Sequence, residues 1–305
     1  MKEKWDEYIN DFELYLKLEK SLSPNSIEAY SHDVYKIASF LDANELSTLP
    51  NELSAEQIRE FLMWLHKFGI SERSQARIIS GIKSFYAFLW LEEKITSDPT
   101  ELIETPKIGK KLPEVLSLIE IDKILAAIDL SKDEGQRNKA IIETLYSCGL
   151  RVSELVNLRI SNLYFKEGFI RVIGKGDKER LVPISPKAIK EINYYKEATR
   201  NHINVAKGFE DILFLNRRGK QLTRVMIFTI IKQLCEKAEI TKNISPHTFR
   251  HSFATHMVDG GADLRAIQDM LGHESITTTE IYTHLDKQHL QDTIMLYHPR
   301  ANKNK

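Results

Sequence analysis

Apolar residues recur at helical spacing through most of the first hundred positions. Trp5, Tyr8, Ile9, Phe12, Leu14 and Leu16 make one stripe over 5–19. Ser23-Pro24 is a helix start with proline in the first turn, and Ile27, Tyr30, Val34, Ile37, Ala38 and Leu41 follow it. Ser54 and Gln57 are spaced as a capping box ahead of Ile58, Phe61, Leu62 and Leu65. A fourth stripe, Ile78, Ile79, Ile82, Phe85, Phe88 and Leu89, runs through 72–93. No period-two run competes, so residues 1–105 are expected to form a small all-helical domain.

The pattern breaks between Thr105 and Pro113. Prolines bracket this stretch, Gly109 loosens it, and Lys107, Lys110 and Lys111 charge it, which reads as a basic linker over 106–113. Such a connector lets two pieces close around a rod-like polyanion, or serves as a plain soluble hinge. Helical spacing resumes over 117–130 and 135–147, and a short helix opens at Arg151. The period then changes to two at 168–173 and 180–184, with Gly174-Lys175-Gly176-Asp177 as the hairpin turn between them. Residues 212–215 read as a strand running into a turn. Further helices are expected over 186–197, 224–238, from Ser245-Pro246 onward, 263–271 with Gly272 as its stop, and 285–296, followed by a polar tail. The expected fold class is mainly α, in two domains. The second, 114–305, is mostly helical with a small antiparallel β-sheet.

Composition narrows the class. The 305 residues are 42% hydrophobic and 28% charged, as in a soluble globular protein. No apolar run is long enough to cross a bilayer, and the start of the chain lacks the apolar region of a signal peptide. No membrane insertion is expected. Cys148 and Cys235 lie far apart and form no metal knuckle, which fits a reducing, cytoplasmic compartment. The net charge of zero hides an asymmetry. Residues 1–107 hold 12 Lys and Arg against 19 Asp and Glu, and the remainder 31 against 24. A basic C-terminal part suits a polyanionic partner.

Candidate chemistry gathers between Ser245 and Tyr282. Capping rules place His247 and Arg250 on one face in the first turn of a helix, where free N–H groups favour an anion. A guanidinium can grip two phosphate oxygens and an imidazole can donate to a third or shuttle a proton. His-x-x-Arg alone is equally ordinary helix decoration. His247 and His251 have a metal pair's spacing, but an arginine lies between them and no glutamate follows His247, so no metal site is expected. Gly-Lys-Gly at 174–176 is not a nucleotide-binding loop. Tyr282 on an amphipathic stretch reads equally as a core phenol. Arg73 and Arg77 on the fourth helix fit either a solvated face or a contact with DNA phosphates.

The ordered set is more specific than its members. Arg151 in Gly-Leu-Arg-x-Ser-Glu, Lys175 in Gly-Lys-Gly, His247-x-x-Arg250, and His273 and Tyr282 in Leu-Gly-His-x5-Thr-x3-Tyr-Thr-His resemble the tyrosine recombinase (lambda-integrase) family. The likeness covers the whole chain and is closest to the Xer branch, which resolves chromosome dimers. It implies a site-specific recombinase that needs neither metal nor ATP and no cofactor. Tyr282 would be the nucleophile, forming a 3′-phosphotyrosyl link. Arg151, Arg250 and His273 would hold the phosphate, and Lys175 would protonate the leaving 5′ oxygen. His247 would either accept the tyrosine proton or only orient the phosphate. Glu154 would support the imidazole or Arg151.

The resemblance also turns Arg73, Arg77, Lys110 and Lys111 into expected DNA contacts, with the two domains on opposite faces of the duplex. The implied partners are double-stranded DNA with a specific, dif-like site, and a homo- or hetero-tetramer with a sister recombinase on two such sites. A septal DNA translocase is the implied activator. The segment after Tyr282 resembles one that family members lodge in a neighbouring subunit. The competing expectations are a phage or transposon integrase of the same family, a type IB topoisomerase, and a DNA-binding protein without catalysis.

Overall fold

Serine caps start three helices of the N-terminal part. The computed structural model describes residues 2–106, 109, 114–174, 177–272 and 284–301. The chain divides into two units, Met1–Lys111 and Leu112–Lys305.

In the first unit, α1 (Lys2–Leu18), α2 (Pro24–Ala43), α3 (Ala55–Lys67) and α4 (Glu72–Leu91) follow one another. The hydroxyls of Ser23, Ser54 and Ser71 accept from the third backbone N–H beyond each, and Gln57 returns the bond to Ser54. These contacts satisfy donors that a helix start leaves orphaned. The expected apolar stripes then meet. Trp5, Phe12 and Phe85 are almost wholly buried, with Phe12 and Phe85 ring centroids 5.3 Å apart at an interplanar angle of 74°. Edge-to-face pairs of this kind add about 0.5–1.5 kcal/mol beyond the area they bury.

The second unit is built on α6 (Gly135–Cys148), in which every residue from Ala140 to Cys148 is buried. Around it lie α5 (Leu118–Ala126), α7 (Val152–Val156), α8 (Pro186–Ala198), α9 (Arg224–Lys237), α10 (Pro246–Asp259), α11 (Leu264–Leu271) and α12 (His284–Tyr297). A helix buried all round needs partners on every side, and α6 has them in α7, α8 and α10. Buried hydroxyls tie its neighbours together. Ser147 accepts from the Ser185 N–H at 3.0 Å, and Ser252 from the Leu116 N–H at 2.8 Å.

The sheet is antiparallel, in the order β1 (Leu163–Tyr164), β2 (Phe169–Ile173), β3 (Glu179–Pro183). Val172 faces Arg180 and Ile170 faces Val182 across the β2–β3 pair. Alternation sends these four residues to the buried side.

Four expectations change. β1 is a two-residue strand too short to leave a period in the sequence. Residues 212–215 are not a sheet strand. They make only isolated bridges, Ile212 to Arg159 and Leu215 to Gln221. Side chains take their backbone groups instead. Arg200 donates to the carbonyls of Glu210, Ile212 and Leu213, Arg137 to that of Leu215, and the Tyr195 hydroxyl accepts from the Leu215 N–H. Helix α5 stops at Ala126 rather than near 130, because Asp129 bonds the Ser131 N–H and hydroxyl and turns the chain. The described part of the polar tail packs on the core. His298 and Ala301 are buried, and Leu290 and Ile294 of α12 join the core of their own chain. Most of the linker expected at 106–113, including Lys110 and Lys111, lies outside the described residues.

Candidate active site

Gly149 sets the geometry of the site. It closes α6 in the left-handed conformation at φ 57°, and a Cβ there would lie 2.6 Å from the Phe253 ring and 2.9 Å from the Leu271 side chain. Only glycine lets the end of α6 approach α10 and α11 this closely. Two residues later Arg151 begins α7, and its own N–H is capped by Glu154 at 2.8 Å.

Three arginines then converge on the end of α11. The last carbonyls of a helix lack internal partners and carry partial negative charge. Here Met270 O accepts from Arg180 Nε at 2.9 Å, and Leu271 O from Arg250 Nη2 at 2.6 Å and Arg151 Nη1 at 3.4 Å. Gly272 O accepts from Arg151 Nη2 at 3.2 Å, and Arg250 Nη1 reaches Gly149 O at 2.8 Å. Gly272 itself is left-handed, φ 66°, and packs directly on Arg180.

One carboxylate answers these cations. Glu154, 4% exposed, accepts a two-pronged contact from Arg180 at 2.8 and 2.9 Å and a third bond from Arg151 Nη1 at 2.9 Å. Burial alone would raise its pKa. The Arg180 pair, then the Arg151 contacts, outweigh burial and hold it below the ordinary carboxylate value. Arg250 is brought down to about 10 by burial first and by repulsion from Arg151 next. It stays protonated at neutral pH, in a cluster where guanidiniums outnumber carboxylates. A phosphate would relieve that imbalance, and the side of the cluster open to one is Arg151, whose side chain is 37% exposed.

Of the residues singled out in the sequence, Arg151, Glu154 and Arg250 come together here. Glu154 supports Arg151, and no hydrogen bond joins it to His247 among the described residues. Arg250 departs from its expected place. It is the fifth residue of α10, beyond the first turn, and 8% exposed, with its fork aimed at carbonyls across the core. His247 is exposed in the first turn of α10. Lys175, His273 and Tyr282 lie outside the described residues; Gly174 and Gly272, which precede Lys175 and His273 in the chain, border the cluster. In the first unit Arg73 is exposed, whereas Arg77 forms a two-pronged pair with the buried Asp33 of α2. Sequence reasoning missed Arg180. Its signal was an arginine on the inward face of a β-run, where charge is rare unless paired.

No described helix is long and apolar enough to cross a membrane, and no described group of acids, histidines and cysteines could hold a metal ion. Residues 114–289 match the phage integrase family, and residues 9–93 match the phage integrase N-terminal SAM-like domain. The chain therefore belongs to the phage integrase family and is a tyrosine recombinase of the Xer type. It is 43% identical to the tyrosine recombinase XerD of Listeria innocua, over 97% of this chain and all of that one. It is likewise 43% identical to the tyrosine recombinase XerD of Staphylococcus saprophyticus, over 97% of this chain and all of that one. Among solved structures, the XerA recombinase is 31% identical over 97% of this chain and 99% of that one, with a TM-score of 0.50. XerH bound to palindromic difH DNA in a post-cleavage complex shares the fold, with a TM-score of 0.68 at 24% identity, over 95% of this chain and 84% of that one.

Proposed function

We propose that this recombinase cuts and rejoins duplex DNA at a specific dif-like site through Tyr282, resolving chromosome dimers before cell division. The observation that carries the reading is the convergence of Arg151 and Arg250 on the end of α11, next to the position of His273. Two guanidiniums held there can take the non-bridging oxygens of a phosphodiester and offset the charge that grows in the transition state. They do the work that metal ions do in many nucleases.

The reaction is an exchange of esters. The Tyr282 oxygen attacks phosphorus, the bond to the 5′ oxygen breaks, and the energy of the broken bond is kept in the 3′-phosphotyrosyl link. Lys175 delivers a proton to the departing 5′ oxygen, and the tyrosine proton passes towards His247. His273 adds a third phosphate hydrogen bond. An attack by the 5′-hydroxyl of another strand reverses the steps and completes rejoining. Because each copy cuts one strand, the reaction calls for several copies on two sites. The proposed assembly is a homo- or hetero-tetramer with a sister recombinase, working in the cytoplasm, with a septal DNA translocase as its activator. The XerD names of the relatives favour this role over a phage or transposon integrase.

The test begins with DNA recovered covalently attached to the protein in cells. A nicked duplex carrying the recovered sequence should trap the unmodified protein covalently, and Tyr282→Phe should bind that duplex without being trapped. Binding without any covalent product by the unmodified protein contradicts the reading.

A further inference from the structure

Arg180 is the buried partner in the cluster, and its placement differs from that of the other two arginines. Its fork goes to both oxygens of Glu154 and its Nε to the Met270 carbonyl, and its side chain is 8% exposed. Arg151 shares Glu154 through one nitrogen, holds the Leu271 and Gly272 carbonyls at 3.4 and 3.2 Å, and leaves 37% of its side chain open. We infer that Arg180 is a positioning residue for strand cleavage, which neutralises Glu154 so that Arg151 keeps its positive charge for the DNA phosphate.

The argument is one of charge balance in a poorly solvated place. Glu154 has a side chain 2% exposed, so its charge is scarcely screened by water. Facing Arg151 alone, it would draw that guanidinium into a closed pair and cancel the field offered to an incoming phosphate. With Arg180 occupying both carboxylate oxygens, the Glu154–Arg180 pair is neutral and Arg151 remains in excess. Glu154 then acts as a fixed acceptor that sets the direction of Arg151 without spending its charge.

Arg180 also touches two further elements beside the cluster. It lies on β3, whose hairpin to β2 carries Lys175, and it faces Val172 across the sheet. A Cβ on Gly272 would be 3.0–3.2 Å from the Arg180 side chain, so Gly272, the C-terminal stop of α11, rests on it. A single side chain thus links β3, the direction of Arg151 through Glu154, and the end of α11 at Gly272.

The inference rests on the reading of Arg151 as a phosphate ligand, and its test separates the two. Covalent trapping on the nicked duplex is compared for the unmodified protein, R180Q, R180K and the double variant R180Q/E154Q, with DNA binding and thermal melting measured alongside. R180Q is expected to bind within about threefold of the unmodified protein but to cleave at least about tenfold more slowly, since one fixed electrostatic contact is weakened. R180K, which keeps the charge, and R180Q/E154Q, which removes both charges, should each recover most of that loss. A folded R180Q that cleaves at the unmodified rate overturns the inference. So does a folded double variant as slow as R180Q, because a purely structural role predicts no rescue. If R180Q is unfolded at the assay temperature, the other two decide: cleavage by both supports the inference, and a tenfold loss in either folded protein overturns it. Failure of the unmodified protein to be trapped would instead strike the recombinase reading itself.

Discussion

Arg250 and Arg151 donate to the same atom, the carbonyl oxygen of Leu271, at 2.6 and 3.4 Å. They reach it from α10 and from the start of α7, so two arginines far apart in sequence are aligned by the unsatisfied end of α11. Each bond stands where a helix carries excess negative charge. The forks are therefore in place before any DNA arrives, which lowers the reorganisation needed in the transition state.

Replacing Arg250 should damage both stability and chemistry. Arg250→Lys keeps the charge but cannot serve Gly149 O and Leu271 O together. Losing one buried acceptor's partner costs about 1–3 kcal/mol. In the proposed role of Arg250 as a phosphate ligand, cleavage should also fall by about 100-fold. Urea unfolding and single-turnover cleavage check the two effects separately.

Gly149→Ala should unsettle the second unit without touching a charged group. The residue would keep a left-handed backbone, costing about 1–2 kcal/mol, and its methyl would press on Phe253 at 2.6 Å. For a unit of this size each kcal/mol shifts the melting midpoint by roughly 2–4 °C. A calorimetric midpoint at least about 4 °C lower is expected.

His298 should make the tail acid-labile. Its Nδ1 accepts from the Arg300 N–H at 3.0 Å, and its ring lies 4.9 Å from that of Tyr146. Burial pushes its pKa down to about 3. A group depressed in the folded state gives stability that is whole above its unfolded pKa, near 6.5, and is lost as pH falls towards the folded value. Unfolding free energy should drop by about 2 kcal/mol between pH 7.5 and 5 from this group. In His298→Phe that part of the slope should vanish. Equal slopes in the two proteins would refute the assignment.

The two arginines of α4 should behave differently. Arg77→Met strips the two-pronged partner from Asp33, which is 1% exposed, although Lys36 still reaches it at 3.0 Å. A stability loss of about 1–2 kcal/mol is expected. Arg73→Ala should leave stability unchanged and, as a phosphate contact, reduce the salt dependence of DNA binding by about one counterion. Melting curves and binding titrations across ionic strength read both.

Local signals made much of this legible. Ser23 and Ser54 mark helix starts because a cap is a contact between residues three or four apart. The end of α11 was readable from Gly272, because a left-handed stop needs glycine. The order of Arg151, His247 and Arg250 pointed to phosphate chemistry. What stayed hidden depends on distant partners. Residues 212–215 read as a strand, yet Arg200, Arg137 and Tyr195 consume their backbone groups. Arg250 looked like a surface residue of a first turn until α6 and α11 supplied its carbonyls. Arg180 gave one cue, a charge at an inward strand position, but its partner Glu154 is on another element. His298 belonged to a segment that looked only polar.

The central claim concerns one atom, the phenolic oxygen of Tyr282. Protein trapped on the nicked duplex can be digested and the peptide carrying the nucleotide identified by mass spectrometry. The account predicts a 3′-linked nucleotide on the peptide containing Tyr282, and none in Tyr282→Phe. A nucleotide attached to any other side chain, or an equal yield from Tyr282→Phe, would contradict it.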